Sequence, residues 1–305
     1  MQTTRSTRAS STRPSVSSTA AEPAPISTAP GAGDAAVPAA PGRRYLDPKE
    51  PIPRSLAYGL SVASLVVVVG VWSLLSYTGI VEAFFLPSPS TVVSSLYDMF
   101  AHQDFLADVW ASASRILLGF LIAAVVAVPL GIAIGSYRVV QAFFEPGIAA
   151  VRYMPASAFI PLLIIWFGIG NNEKVAVIFI GTFFPLTLMV ADVSANVSKE
   201  LLNISYTLGA SRWQVFRRVL LPACWPGVID NLRIGIGWAW TYLIVAELVA
   251  ASTGIGYVIL TASRFGETER IIGGIITIGV LGLLTDAVFR WLYRLLFPYA
   301  ERVAR

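Results

Sequence analysis

Long apolar runs separated by short polar stretches follow one another from residue 55 to residue 297. Because a helix rises about 1.5 Å per residue, about 20 apolar residues are enough to cross the hydrocarbon core of a membrane. Six runs reach this length, and each is predicted to form a transmembrane helix. They cover residues 55–77, 106–135, 139–170, 175–196, 229–252 and 271–297. The pattern therefore predicts an all-α membrane protein with six transmembrane helices.

Two of these runs contain residues that alter the geometry of a helix. Pro146, Pro155 and Pro161 interrupt the third run, and a proline inside a helix removes a hydrogen-bond donor and kinks the backbone. The third run is therefore predicted to be a kinked or broken helix, which membranes tolerate where it packs on protein or lines a cavity.

Gly131 and Gly135 form a G-x-x-x-G pattern in the second run and predict a close helix–helix contact.

The 54 residues before the first run are rich in Ser, Thr, Ala, Pro and Gly and almost free of large apolar side chains. Such a segment buries too little surface to offset the entropy of ordering it, so residues 1–54 are predicted to be a disordered tail. The tail lacks the apolar stretch of a secretory signal peptide. The predicted organisation continues with a first helix and outer loop at 55–104, a helical core at 105–297 and a second, short tail at 298–305.

Composition excludes several classes of protein. The chain is 55% hydrophobic and only 13% charged, whereas a soluble domain has about 25% charged residues. A soluble globular fold is therefore excluded, and long apolar runs argue against a β-barrel, whose strands alternate. One cysteine, Cys224, and one histidine, His102, exclude an internal disulfide framework and a Cys-based metal cluster, and leave little scope for His-dependent chemistry.

The net charge of +4 could indicate a nucleic-acid partner, but the positions of the charges give another explanation. With six alternating spans, most of the Lys and Arg residues lie on the side of the two tails, whereas the opposite loops are largely acidic. Basic residues are concentrated in the cytoplasmic loops of membrane proteins. Both termini are therefore predicted to be cytoplasmic, and no nucleic-acid partner is expected.

The cytoplasmic loop at 198–226 has the pattern of two short amphipathic helices joined at a glycine. Gly209 occupies the position of a helix C-cap, and Ser211 and Gln214 have the spacing of a capping box that begins the second helix. Pro222 is predicted to lie close to the end of that helix. Apolar residues form one stripe on each helix: Leu201, Ile204 and Leu208, then Trp213, Phe216, Val219 and Leu220. The pair could lie against lipid or could dock a cytosolic partner.

This loop resembles the EAA loop of permease subunits of binding-protein-dependent ABC importers. In that motif E-A-A is followed by three residues, a glycine and, about a dozen residues later, Leu-Pro. Aligning the glycine with Gly209 places E-A-A on Asn203, Ile204 and Ser205, so an asparagine replaces the acidic residue. Leu221-Pro222 matches the end of the motif. The stretches at 152–170 and 231–259 are similar to the nitrate, sulfonate, taurine and bicarbonate branch, and the resemblance covers about residues 105–297.

The resemblance implies a type I importer permease bundle with cytoplasmic coupling helices, in the plasma membrane of a bacterium. It implies a transport subunit rather than an enzyme, with no cofactor of its own. ATP and Mg²⁺ would bind a separate cytosolic ATPase, in keeping with the absence of a G-x-x-x-x-G-K-[ST] phosphate-binding loop from the sequence. The residues expected to contact this ATPase surround the glycine: Asn203, Ile204, Ser205, Leu208, Gly209, Ala210, Ser211, Arg212 and Phe216.

Further partners and a substrate class follow from the same resemblance. A second copy of the permease would complete the pathway, so we expect a homodimer, and an extracytoplasmic binding protein would deliver the substrate. The branch handles small oxyanions and sulfonates. Nitrate or nitrite is the first candidate substrate, and bicarbonate, sulfonate or taurine are the alternatives.

Four residues within the predicted spans are candidates for the translocation path: Arg152, Trp238, Trp240 and Glu247. An ionisable residue inside a membrane is costly and is by default a functional candidate. Arg152 could attract an anion, or it could snorkel or pair with Glu145. Glu247 could serve in pairing or gating, or it could contact the substrate, although a carboxylate would repel an anion. The two tryptophans could line a path or could pack against lipid or in the core.

Two other functions are open to an all-α membrane protein. An intramembrane protease is excluded by residue types, because the chain has no H-E-x-x-H motif and its only histidine, His102, falls in an outer loop. A stand-alone secondary transporter is the main alternative, but it would not need an amphipathic loop facing the cytoplasm.

Overall fold

The computed structural model describes residues 53–298 of the chain. The chain separates into two units, residues 1–61 and 62–305. Of the first unit, only residues 53–61 are described, and from residue 54 onward they are helical. The tails predicted at 1–54 and 298–305 therefore lie almost entirely outside the described residues.

The described part of the chain is helical, with no strand between residues 53 and 298. Eleven α-helices, one 3₁₀ turn and one π turn follow in chain order. They are α1 (Arg54–Tyr77), α2 (Pro89–His102), α3 (Phe105–Ser136), α4 (Arg138–Arg152), the 3₁₀ turn Ala156–Phe159, α5 (Ile160–Phe167), α6 (Asn171–Ala195), α7 (Lys199–Thr207), α8 (Arg212–Val215), the π turn Phe216–Leu220, α9 (Leu221–Ala250), α10 (Ile255–Phe265) and α11 (Thr268–Leu296).

Five helices are long and apolar enough to cross a membrane: α1, α3, α6, the continuous helix that α8 and α9 form together, and α11. A sixth span results if α4 and α5 count as one, since they are joined at a bend of 87°. This bent pair covers residues 138–167, most of the third predicted run, and its break lies at residues 153–155 and ends at Pro155. The prediction of a broken helix in that run is therefore confirmed.

The core lies where α3, α6 and α9 pack together. Glycines allow α3 and α6 to approach closely, because a Cβ added at Gly131 would lie 2.6 Å from the carbonyl oxygen of Thr187. At Gly135 it would lie only 2.2 Å from the carbonyl oxygen of Ala191. The close contact predicted from the G-x-x-x-G pattern is thus confirmed, with α6 as the partner helix.

Three features differ from the sequence predictions. Helices α2 and α10 were not predicted, and Pro222 does not lie near the end of the loop's second helix. Instead α8 continues through the π turn into α9, giving one helix of 39 residues from Arg212 to Ala250. In the π turn the N–H of Leu221 donates to the carbonyl of Phe216. This wider turn makes room for the proline ring, which would otherwise clash with the preceding turn.

Candidate functional site

The loop at 198–226 forms an elbow whose shape depends on one glycine. Helix α7 is capped by Ser198, whose hydroxyl accepts from the N–H of Leu201, and it runs from Lys199 to Thr207. Gly209 then has a φ of +85°, in the left-handed region that glycine adopts without steric cost. Its N–H donates to the carbonyl of Tyr206 over 2.9 Å. The predicted C-cap glycine is therefore confirmed, and the requirement is one of backbone conformation, because a Cβ there would meet nothing within 4 Å.

A capping box starts the second arm of the elbow. The N–H of Ser211 donates to Gln214 Oε1 over 2.8 Å, and the N–H of Gln214 donates to Ser211 Oγ over 3.4 Å. Both bonds satisfy N–H groups that have no partner inside the helix. The predicted box is confirmed, and it determines where the long α8–α9 helix begins.

The apolar stripe of α7 is turned away from the rest of the chain. Leu201, Ile204 and Leu208 are 43%, 58% and 82% exposed, whereas their neighbour Leu202 packs against the core. Leu202 therefore anchors the helix while the stripe stays uncovered. A contiguous exposed apolar face is typical of an interaction surface.

Glu200 does not compensate for the acidic residue missing at Asn203. The hydroxyl of Ser198 donates to the Glu200 carboxylate and holds the pKa of Glu200 below its ordinary value. The carboxylate is thus engaged at the first turn of α7, whereas Asn203 is exposed nearly one turn further along the helix.

A stack of three aromatic rings ties the second arm to the α3–α4 junction. Phe216 lies between Trp213, at 5.7 Å between ring centroids, and Tyr137, at 6.2 Å. Tyr137 is the single residue between α3 and α4. Between the two arms lies a cleft of about 400 Å³, lined by Ser205, Leu208, Gly209, Ala210, Gln214, Arg218 and Val219. The structure therefore brings the predicted loop residues Ser205, Leu208, Gly209 and Ala210 to one concave surface and turns Phe216 inward.

A second site lies at the bend between α4 and α5. A cavity of about 210 Å³ is lined by Arg152 and Met154 on one side and by Trp238 and Tyr242 of α9 on the other. A neighbouring cavity of about 250 Å³ shares Arg152 and Tyr242 and adds Thr241. We refer to the two together as the bend cleft. It exists because the 87° bend turns α5 away from the direction of α4.

Arg152 is the basic residue that lines the bend cleft. It is exposed, its guanidinium lies 5.1 Å from the centroid of the Tyr153 ring, and its Nη2 donates to the Tyr153 hydroxyl over 3.2 Å. No carboxylate among residues 53–298 forms an ion pair with it, so the pairing with Glu145 considered above is not formed. The cation is therefore available to a ligand in the cleft.

The other two path candidates lie elsewhere. Trp240 is 5% exposed and belongs to the main hydrophobic core. Glu247 is fully buried, and its Oε1 accepts from Arg115 Nη1 over 2.6 Å. Of the four predicted candidates, the structure thus brings Arg152 and Trp238 together, and it places Glu247 in an ion pair, the pairing alternative considered above.

Several polar contacts were not anticipated from the sequence. Lys174 is buried, and its ammonium donates to Glu173 Oε2 over 3.0 Å and to the carbonyl of Ala250 over 2.8 Å. The α3 residues Ser112 and Arg115 both bond Glu247. Their spacing along α3, with Asp108 four residues before Ser112, places all three on one helical face. Three polar residues on one face of an apolar helix are visible in the sequence, and they indicate a polar partner on a neighbouring helix.

Comparison with known proteins places these features in a family. Residues 127–300 match the family described as "Binding-protein-dependent transport system inner membrane component". The chain is 34% identical over 256 residues to the taurine transport system permease protein of Escherichia coli, covering 82% of this chain and 93% of that one. It is 30% identical over 259 residues to a nitrate import permease protein of Synechocystis, covering 82% and 92%. A putative aliphatic sulfonates transport permease protein of Bacillus subtilis is 32% identical over 233 residues, with 76% and 84% covered.

A solved structure supports the fold. The chain matches a subunit of the inward-facing methionine ABC transporter MetNI with a TM-score of 0.54 at 18% identity, covering 62% of this chain and 94% of that one. The fold is thus that of a type I ABC importer permease. The resemblance inferred from the elbow is confirmed. The chain belongs to the family of inner-membrane permease subunits of binding-protein-dependent ABC importers, multi-pass proteins that act with a separate ATPase subunit and a binding protein.

Proposed function

We propose that this permease imports a small anion, with nitrate or nitrite as the first candidate and bicarbonate, sulfonate or taurine as alternatives. The observation that carries the proposal is Arg152, an exposed cation in the bend cleft with no carboxylate partner among residues 53–298. A guanidinium donates paired hydrogen bonds to oxyanions, and Thr241 and Tyr242 add hydroxyl groups. Relatives named for taurine, aliphatic sulfonates and nitrate support an oxyanion-bearing substrate.

The elbow is proposed to be the docking surface for the ATPase, which would carry ATP and Mg²⁺. Three observations support this role: the exposed stripe of α7, the left-handed Gly209 and the uninterrupted helix that runs from Arg212 to Ala250. A packed helix transmits a displacement along its length because protein interiors are dense and deform little. Closure of the ATPase would thus move α9, which forms one wall of the bend cleft.

The proposal also includes the number of permease copies and their orientation in the membrane. Two copies of this chain would enclose the pathway, with both termini and the elbow in the cytoplasm and the binding protein on the opposite face. The concentration of Lys and Arg residues on the side of the tails supports this orientation.

Uptake into proteoliposomes containing the permease, its ATPase and its binding protein tests the proposal. ¹⁵N-nitrate, taurine and bicarbonate are offered separately, with ATP on the side of the ATPase. We expect ATP-dependent uptake of nitrate, lost in Arg152→Gln and partly kept in Arg152→Lys, because lysine retains the charge without the planar fork. Arg264→Gln is the matched control, since Arg264 is exposed and lies outside the bend cleft.

Each unfavourable outcome has its own meaning. Uptake of taurine or bicarbonate in place of nitrate would replace the first candidate with that alternative. Equal uptake by wild type and Arg152→Gln would contradict the role of Arg152. Uptake driven by an ion gradient without ATP would indicate a secondary transporter instead.

A further inference from the structure

A polar cluster, buried at Ser112, Arg115 and Glu247, holds the end of α9 that lies opposite the elbow. We call it the distal cluster. It comprises Asp108, Ser112 and Arg115 of α3, Glu247 of α9, Thr253, and the backbone of Gly254, Ile255 and Gly256 at the start of α10. None of these residues lines the bend cleft. The cluster therefore needs an explanation other than substrate contact.

Glu247 is the centre of the distal cluster. Its Oε1 accepts from Ser112 Oγ over 2.8 Å and from Arg115 Nη1 over 2.6 Å, and its Oε2 accepts from the N–H of Gly256 over 2.8 Å. Arg115 in turn donates to the carbonyl and the hydroxyl of Thr253 over 2.8 and 2.7 Å. One carboxylate thus joins α3, α9 and α10.

The start of α10 is capped by side chains of other helices. The N–H groups of Gly254 and Ile255 donate to Asp108 Oδ1 over 2.7 Å and to Ser112 Oγ over 2.9 Å. The N–H of Gly256 is bound by Glu247, as above. The first N–H groups of a helix have no partner within it and carry a partial positive charge. The negative groups of the cluster therefore hold α10 by its N-terminus, and no cap from its own sequence replaces them.

The two glycines of this segment permit the close approach. A Cβ at Gly254 would lie 2.4 Å from Glu247 Oε1, and one at Gly256 would lie 2.6 Å from Glu247 Cβ. Gly254 also has a φ of +113°. Any side chain here would push the carboxylate away from the turn, so the G-I-G sequence is explained by contact with Glu247.

The distal cluster and the elbow are the two ends of one helix. From Arg212 to Ala250 the helix has 39 residues, a length of about 60 Å. Its last turn is also tied to α6, through the bond from Lys174 Nζ to the carbonyl of Ala250. A movement of the elbow that is transmitted along this helix would therefore act on the contacts at the distal end.

We propose that Glu247 is a positioning residue for transport, which holds the α9–α10 junction against α3 in the resting transporter and releases it when the ATPase moves the elbow. The inference rests on the proposed function, in which the elbow receives that movement. A contact made in one state and broken in the other shifts the equilibrium between them. Weakening the contact should favour the state in which the ATPase is closed and hydrolyses ATP.

The test measures ATP hydrolysis by the complete transporter in nanodiscs, with and without its binding protein loaded with nitrate or taurine. The variants are Glu247→Gln, which keeps the shape of the side chain but removes its charge, and Glu82→Gln, a control at an exposed position. A hydrogen bond to a charged group is worth enough to change an equilibrium about tenfold or more. Without binding protein, Glu247→Gln should therefore hydrolyse ATP about tenfold faster than wild type, and stimulation by binding protein should fall accordingly. Glu82→Gln should match wild type.

The ratio of the ATP hydrolysis rate with loaded binding protein to the rate without it separates a positioning role for Glu247 from a structural one. If Glu247→Gln lowers both rates equally and leaves their ratio unchanged, the proposal is overturned, because loss of folded transporter predicts that result. If Glu247→Gln does not assemble, Ser112→Ala takes its place, since it leaves the ion pair between Arg115 and Glu247 intact. In Ser112→Ala, hydrolysis without binding protein that rises above wild type, by less than about tenfold, supports the proposal. A ratio of stimulated to unstimulated hydrolysis equal to that of wild type overturns it. Wild-type uptake that needs no ATP would instead contradict the proposed function.

Discussion

Replacing Gly209 with proline is expected to abolish uptake while leaving the helical bundle assembled. Gly209 has a φ of +85°, whereas proline holds φ near about −65° and has no N–H. The elbow would therefore lose both its backbone geometry and the bond from Gly209 N–H to the Tyr206 carbonyl. A Cβ at this position meets no other atom within 4 Å, so the damage is confined to the elbow.

The size of the effect can be graded with milder substitutions. A left-handed conformation costs an ordinary L-residue about 1–2 kcal/mol, so in Gly209→Ala the native elbow should be populated roughly 5- to 30-fold less relative to other geometries. Asparagine adopts this conformation more readily. Uptake should therefore decrease in the order Gly209, Asn, Ala, Pro.

The assay compares ATP-dependent uptake of nitrate or taurine by the four proteins in proteoliposomes. Co-purification of the ATPase with each variant shows whether docking fails, and the yield of monodisperse permease shows whether the bundle is assembled. Normal uptake in Gly209→Pro would refute the reasoning. So would equal loss in the asparagine and proline variants, because steric bulk rather than backbone conformation would then be the cause.

Three further predictions concern other parts of the chain. Ser211→Ala removes a capping hydroxyl and should lower the stability of the permease by about 1 kcal/mol, measured as a lower Tm in detergent, with Ser211→Asp close to wild type. Gly181→Ala places a Cβ 2.4 Å from the ring of Tyr242, so the ring must shift. The KM for uptake should therefore change while the yield of folded permease stays the same. An unchanged KM would exclude Tyr242 from the translocation path. Arg115→Ala leaves Glu247 buried without its charged partner and should cost about 3–5 kcal/mol, measured as loss of folded permease.

Features that depend on residues close together in the chain were predictable. The length of an apolar run is sufficient to indicate a span, because the membrane core has a definite thickness. The capping box needs only Ser211 and Gln214, three residues apart, and the C-cap needs only Gly209. The predicted spans and the predicted elbow therefore correspond to observed helices and to an observed turn.

The course of the helix after the elbow was less predictable. By its sequence, Pro222 predicts the end of a helix, because a proline commonly follows a helix C-terminus. The π turn at Phe216–Leu220 allows the helix to continue, and such a turn has no simple sequence pattern. Helix α10 was missed because its N-terminal groups are capped by α3 and α9 rather than by its own residues.

Apolar periodicity and local capping residues determined the class of protein, the positions of its long apolar helices and the position of the elbow, since each is a property of a short stretch of chain. The environments of Trp238 and Trp240 differ although the two are only two positions apart in the sequence, because α9 turns Trp238 toward the bend cleft and Trp240 into the core. Likewise, the partner of Glu247 is 132 residues away, on α3. The packing of α3, α6 and α9 decides which polar groups meet inside the bundle. Because this packing joins residues far apart in the sequence, only the tertiary structure reveals these contacts.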